Sequence, residues 1–172
     1  VVTFNIRCDY GQDGLNEFAN RKELILRKIN QEKPDIIGFQ EVLPHVAKWL
    51  KENLNEYYVI GCGRGANLRD EQMSIAYRRD RINLISMKTW WLSQTPDVPG
   101  SRYEEQSSCP RTATEAVFED IKNDKVFRFI NTHLDHIGAQ AREKGLTQII
   151  NQLNQERFWK DIPVILCGDF NA

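Results

Sequence analysis

Three histidines and four cysteines, none of them clustered, leave this chain without the side chains from which a zinc-type site is built. Cys8, Cys62, Cys109 and Cys167 are far apart and show no metal-type spacing, so they read as reduced and mostly buried thiols. A surplus of positive charge is also missing. The 23 Lys and Arg are balanced by 24 Asp and Glu, a formal net charge of −1, which excludes a general polyanion-binding surface and leaves nucleic-acid contact to a local patch. No apolar run approaches membrane-spanning length and no signal peptide is visible, so no transmembrane segment is expected. Internal repeats, low-complexity tracts and linkers are absent too. Compartment and oligomeric state stay open. What is present is 172 residues with 41% hydrophobic side chains, enough for the core of a single domain.

The hydrophobic pattern alternates between strand and helix periods. Val1 to Arg7 has the two-residue period of a strand, with Val2, Phe4 and Ile6 on one face. Leu15, Phe18, Ile25, Leu26 and Ile29 follow helical spacing, and Pro34 stops that helix. "PDIIGFQE" is nearly all apolar until Gln40 and Glu41, as in a strand covered on both faces. Val42, Val46, Trp49 and Leu50 predict a second helix. "YYVIGC" and two strands hinged at Arg79 to Arg81 read as neighbours in one sheet. The stretch from Gln94 to Pro110 is too long for an ordinary connection and reads as either mobile or functional, with Arg102 and Tyr103 as candidate substrate contacts. A hairpin turns at Lys122 to Asp124, and its second strand places Phe127, Phe129, Asn131 and His133 on one face. A helix with Leu146, Ile149, Ile150 and Leu153 on its stripe precedes a last strand from Pro163 to Cys167.

Four of these strands end in the same way. Asn5, Glu41, His133, and the pair Asp169 and Asn171 each continue a largely apolar strand. Burying an ionised group alone costs several kcal/mol unless a cation or strong donors compensate, and a shared polar pocket removes that cost. Oxygen ligands of this kind suit a hard cation: Mg²⁺ takes one or two carboxylates, keeps several waters and bridges to substrate phosphate oxygens. Each residue also has a plainer alternative. Asp169 and Asn171 are good turn formers, Glu41 could cap the following helix, Asn5 could bond local backbone, and His133 could be a satisfied core imidazole.

In order along the chain, "TFNIR", "IIGFQE", "MSIAYRRDR", "WWLSQTPDVPGS", "CPRTAT", "INTHLDH" and "GDFNA" resemble the endonuclease/exonuclease/phosphatase superfamily of DNase I-like, metal-dependent phosphoesterases. The middle pieces are most similar to a bacterial group of metal-dependent hydrolases. The resemblance implies an α/β fold, a four-layer sandwich of two packed mixed sheets flanked by helices, with the second sheet incomplete in this chain. It implies that Glu41 is the principal ligand of Mg²⁺ (or Mn²⁺), with Asn5 beside it in the metal and phosphate pocket. Asp169 would orient or activate the attacking water, and Asn171 would hold a phosphate oxygen. His133 would donate to the scissile phosphate with Glu71 as its carboxylate partner, and Arg111 would face the phosphate, with Asn131 among the substrate-binding residues. Asp135 and His136 follow the motif without an assigned role.

The function implied is metal-assisted hydrolysis of a phosphoester by in-line attack of water, of phosphodiesterase or nuclease type, on nucleic acid or a small phosphodiester. A phosphomonoesterase acting on sugar, inositol or lipid phosphates is the alternative within enzymes, and a noncatalytic binding or scaffold module the alternative outside them. Members of the superfamily continue beyond "GDFN" to an Asp-His pair. The expectation is therefore one domain over residues 1–172, truncated at its C-terminus and inactive by itself.

Overall fold

A computed structural model describes all residues from 1 to 172. In chain order its elements are β1 (Val2–Asn5), α1 (Phe18–Glu32), β2 (Ile36–Gln40), α2 (Pro44–Asn53), β3 (Tyr57–Ile60), β4 (Ile75–Arg78), β5 (Ile82–Trp91), β6 (Thr112–Asp120), β7 (Lys125–His133), α3 (Ala139–Gln155) and β8 (Val164–Asp169). The strands make two four-stranded sheets, ordered β1-β2-β4-β3 and β5-β6-β7-β8. Both are mixed: β1 runs parallel to β2 and β7 to β8, and the other pairings are antiparallel.

All five residues of β2 are buried, which requires cover on both faces. Ile37 and Phe39 pack with Ile25 and Ile29 of α1 and Val46 and Leu50 of α2 on the outer face of the first sheet. Ile36 turns the other way, into a cluster with Tyr77, Phe118 and Phe129 between the sheets. A third cluster joins Ile130 and Trp90 to Ile149 of α3. Helices, sheet, sheet and helix form four layers, as the resemblance implies. Each fully buried Ile or Phe contributes about 1.5–3 kcal/mol, so these clusters hold the layers in register.

Polar contacts fix how deeply the sheets interpenetrate. A Cβ on Gly38 would lie 2.6 Å from Cys167 Sγ and 2.9 Å from Asn131 Oδ1, so only glycine permits this approach. Beside it the Gln40 amide donates to Asn131 Oδ1 at 2.7 Å, and Asn131 Nδ2 donates to the carbonyls of Phe39 and Ser74 at 2.7 and 3.0 Å. This pair of amides pins β2 to β7.

Three local expectations differ from what is observed. Strands β4 and β5 are not neighbours: the chain crosses from one sheet to the other at Arg79–Arg81, with Tyr77 and Ile82 both feeding the inter-sheet cluster. Leu15 is 91% exposed in a short 3-10 turn, and α1 starts only at Phe18. The buried stripe of α3 runs through Ala141, Gly145 and Ile149 and leaves Ile150 exposed, because Gly145 lets the helix settle against Leu92 and Leu134.

Candidate functional site

The apolar strands end together because parallel neighbours finish on the same side and antiparallel neighbours begin there. Asn5 closes β1, Glu41 follows β2, His133 closes β7 and Asp169 closes β8, while Arg111 immediately precedes β6 and Glu71 lies just before β4. Glu41 has φ +63° and Asn171 has φ +50°, left-handed conformations that break each strand and swing the side chain into the cleft. Glu41 does not cap α2, whose first turn has no side-chain cap bond.

Asn5 is the meeting point. Its Nδ2 donates to Glu41 Oε1 at 2.7 Å and to Asp169 Oδ2 at 2.9 Å, and the Cys8 backbone N–H donates to Glu41 Oε2 at 2.5 Å. Glu41 has no Lys, Arg or His within ion-pair distance, and the one basic group near Asp169 is His133, whose Nε2 lies 3.7 Å away. Two carboxylates thus converge on one carboxamide with no cationic side chain bonded between them. The Glu41 carboxylate and the Asn5 carboxamide fit a hard divalent cation held by oxygen: rotating the Asn5 amide would set Oδ1 beside the Glu41 carboxylate, water would complete the shell, and Asp169 would face that water. No group of three His, Cys, Asp or Glu side chains is placed to hold a metal, which speaks against a zinc-type site and means that any hard cation here would keep several waters.

An anion site lies alongside. A cavity of about 410 Å³ is lined by Glu41, His133, Arg111, Arg64, His136 and Asn171, among others. Arg111 is buried, its Nη2 lies 2.8 Å from His136 Nδ1, and its Nε has no hydrogen-bond partner. Burial and the charge of Arg64 push its pKa below the ordinary guanidinium value, against the pull of Asp135, so an incoming anion relieves it. His133 is likewise pushed well below the ordinary imidazole pKa by burial and then by Arg111, against the pull of Asp169, and is neutral at pH 7. Burial raises the Asp169 carboxyl, but the Asn5 amide, the Asn171 N–H and the His133 and Arg111 charges more than reverse this and hold it below the usual range. Asn171 donates Nδ2 to the Leu134 carbonyl at 2.9 Å, which leaves its second amide N–H free, and its backbone N–H to Asp169 Oδ1 closes a turn. The pair thus forms the turn of the plainer reading, with the Asp169 carboxylate turned toward Asn5. Volume does not mark this place: a larger cavity of about 670 Å³, lined mainly by side-chain amides, runs between α3 and the loop after β5 and contains none of these groups.

One expected site residue stands elsewhere, and a second lines the cavity with partners other than the expected one. Asn131 is fully buried with its amide committed to the other sheet, so it cannot meet a substrate. Glu71 is not bonded to His133: its Oε1 accepts from Tyr10 Oη and from Arg64 Nη2, both at 2.7 Å. Arg102 and Tyr103 do not line the site cavity either. Arg102 donates to the Gln106 carbonyl and Tyr103 to Gln148 on α3.

Sequence reasoning missed Tyr10, Arg64 and the use of Asp135. Tyr10 and Arg64 sit in polar loops with no periodicity to mark them. Asp135 accepts from the backbone N–H groups of Ser107, Ile137 and Gly138 and from the Ser107 hydroxyl, and lies 3.6 Å from Arg111 Nε. It thereby ties the long loop after β5 to the end of β7 and to the site arginine. Burial raises its carboxyl, but the Gly138 N–H, the Ser107 hydroxyl and the other donors prevail and bring it to about 2. A folded pKa below the unfolded one gives stability that is complete above the unfolded value and lost as pH falls through the folded one, for a total of about 2 kcal/mol. The unfolding free-energy difference between wild type and Asp135→Asn should accordingly shrink by about 1 kcal/mol between pH 6 and pH 3. A constant difference in urea titrations across that range would contradict this.

Residues 2–172 match the Endonuclease/Exonuclease/phosphatase family. The chain belongs to that family. Among solved structures, a Bacteroides vulgatus family member is 36% identical with a TM-score of 0.93, over 99% of this chain and 64% of that one. The Bacteroides thetaiotaomicron mannosyl-6-phosphatase is 32% identical with a TM-score of 0.93, over 99% and 65%. An uncharacterised protein of Acanthamoeba polyphaga mimivirus is 30% identical over 162 residues, 91% of this chain and 60% of that protein. The chain thus spans less than two thirds of the length of each of these proteins.

Proposed function

We propose that the protein hydrolyses a phosphoester by attack of water on phosphorus, with Mg²⁺ or Mn²⁺ held by Glu41 and Asn5. The observation that carries this is the pairing of Glu41 and Asp169 across one amide, at 2.7 and 2.9 Å, beside a cavity into which Arg111 and a neutral His133 face. A place for a cation adjoins a place for an anion. When bound, the divalent ion supplies Lewis-acid neutralisation of charge on the phosphate and leaving oxygen, worth several kcal/mol of barrier. Asp169, kept ionised by Asn5 and its other donors, orients the attacking water and takes its proton as the new P–O bond forms. Asn171 gives its free N–H to a phosphate oxygen. Arg111 and His133 donate to the remaining oxygens as charge builds there and the bond to the leaving group breaks.

Within this reading a compact monoester, such as a sugar phosphate, is favoured over a nucleic-acid diester. Arg7, exposed beside the cleft, is spent in a pair with Asp13 at 2.6 Å, and the chain as a whole carries a formal net charge of −1, which leaves little free positive charge for flanking phosphates. The cavity of about 410 Å³ suits a small headgroup, and one relative at 32% identity is a mannosyl-6-phosphatase. A phosphodiesterase or nuclease remains the second enzyme class to test. A noncatalytic module is disfavoured because it would keep two facing carboxylates with nothing to gain from them.

Full-length protein assayed on p-nitrophenyl phosphate and bis-p-nitrophenyl phosphate tests these readings together. Turnover of the monoester that EDTA abolishes and Mg²⁺ or Mn²⁺ restores is the expected result. Preference for the diester would move the substrate class, and no metal-dependent turnover of either ester would sink the hydrolase reading.

A further inference from the structure

Tyr10 is the one large aromatic surface lining the site cavity, and its placement is unusual. It belongs to the loop between β1 and α1, its residue is 64% exposed, and none of the aromatic ring pairs in the protein includes it. Yet its hydroxyl donates at 2.7 Å to Glu71, a residue only 5% exposed, whose carboxylate is itself held by Arg64, 3% exposed. Arg64 is fixed in turn, since its carbonyl accepts from the Trp91 indole at 2.6 Å. The loop that carries Tyr10 is equally constrained: Cys8 N–H is on Glu41, Asp9 pairs with His45 at 2.8 Å, and Arg7 pairs with Asp13. The phenol is therefore tied at both ends, through its backbone and through its hydroxyl. Its ring spans from one loop to another at the boundary between the site cavity and a second depression of about 300 Å³ lined by Arg7, Gln12 and Asp13.

A ring held this firmly while left largely in solvent gains little from packing. It offers a preorganised flat apolar face at the edge of a cavity whose other walls are Arg64, Glu71, Arg111, His133 and His136. The ligand such a wall selects has one apolar face and polar edges. We propose that Tyr10 is a specificity-determining residue, on whose face the leaving group of the substrate, a hydroxylated sugar ring, stacks while its phosphate lies toward Arg111 and Glu41. This rests on the phosphoester reading above and adds to it the wall that recognises the part of the substrate that is not phosphate. Glu71 and Arg64 are positioning residues here, acting through the phenol.

The test separates the two readings by measuring binding as well as turnover. In full-length protein with Mg²⁺, carrying Asp169→Asn so that the esters are not consumed, calorimetry is run with glucose 6-phosphate, glycerol 3-phosphate and inorganic phosphate on protein with the wild-type Tyr10, with Tyr10→Ala and with Tyr10→Phe. Protein with the wild-type Tyr10 should bind the ring-bearing ester more tightly than the acyclic one. Tyr10→Ala should lose about tenfold in affinity for glucose 6-phosphate and stay within about twofold for glycerol 3-phosphate and inorganic phosphate. Tyr10→Phe, which keeps the face and loses the anchor, should retain part of the ring preference. An equal loss for all three ligands would make Tyr10 merely structural, and no loss for any would remove it from the site; either overturns the proposal. Tighter binding of adenosine 5′-monophosphate than of glucose 6-phosphate would overturn the sugar assignment. Absence of turnover in wild type, with the Tyr10 effect intact, would count against hydrolysis alone.

Discussion

Asp169→Asn is expected to lower kcat by about 10³-fold, while the affinity for Mg²⁺ changes by no more than about threefold. Asparagine at this position keeps an oxygen to accept from Asn5 Nδ2, now at 2.9 Å, and keeps the strand end where it is, so the scaffold of the site is retained. What disappears is the ionised carboxylate that takes the proton of the attacking water and that faces His133 at 3.7 Å. Glu41→Gln reverses the pattern. The carboxylate accepting from Asn5 and from the Cys8 N–H is then no longer anionic, and Mg²⁺ affinity measured by calorimetry should fall by at least about tenfold. Excess Mg²⁺ should recover part of the activity of the Glu41 variant and none of that of the Asp169 variant. Equal metal affinity in all three proteins would contradict the division of roles.

The strand-end cluster itself was readable in the sequence because it depends on where strands stop. An apolar run that ends on Asn5, on Glu41 or on Asp169 signals a polar pocket at one edge of a sheet, and parallel pairing of β1 with β2 and of β7 with β8 then brings those edges together. The layer order was legible for the same reason, since "IIGFQ" has no polar side until its last residue. Depth was not legible. Asn131 shares a face with His133, but two residues earlier on a strand is roughly 6–7 Å further into the sheet, and at that depth it meets backbone carbonyls of the other sheet and no solvent. Nor did pattern reveal that β4 and β5 part company, because two alternating strands joined by a tight turn look like a hairpin whether they pair with one another or with different sheets. Tyr10 and Arg64, and with them the true partners of Glu71, escaped for a third reason: their partnership joins two loops 61 residues apart between Tyr10 and Glu71, and no local period encodes it.

Asn131→Ala should destabilise the fold by about 3 kcal/mol. The truncation removes two donated bonds and two accepted ones, from Gln40 and more weakly from the Cys167 thiol, at a position with no solvent exposure. The groups left behind are not equally stranded. Gln40 Nε2 still reaches Thr3 Oγ1 at 3.1 Å and the Gly38 carbonyl at 3.0 Å, and the Ser74 carbonyl still accepts from Phe39 N–H at 2.8 Å. The cost therefore comes from incomplete satisfaction of several groups together with the space vacated between the sheets, where no water is at hand. Coupling is the decisive signature. If the two amides act as a unit, Gln40→Leu combined with Asn131→Leu should cost at least about 1 kcal/mol less than the sum of the single changes, since neither then leaves a polar partner behind. Urea midpoints at unchanged m-value provide the measurement. Strict additivity, or a loss below about 1 kcal/mol for Asn131→Ala, would mean that apolar packing alone sets the approach of the sheets. Because β2 ends in Glu41 and β7 in His133, a loosened pin should also reduce kcat in protein that remains folded, with Mg²⁺ affinity, which depends on β1 and β2 within one sheet, affected less.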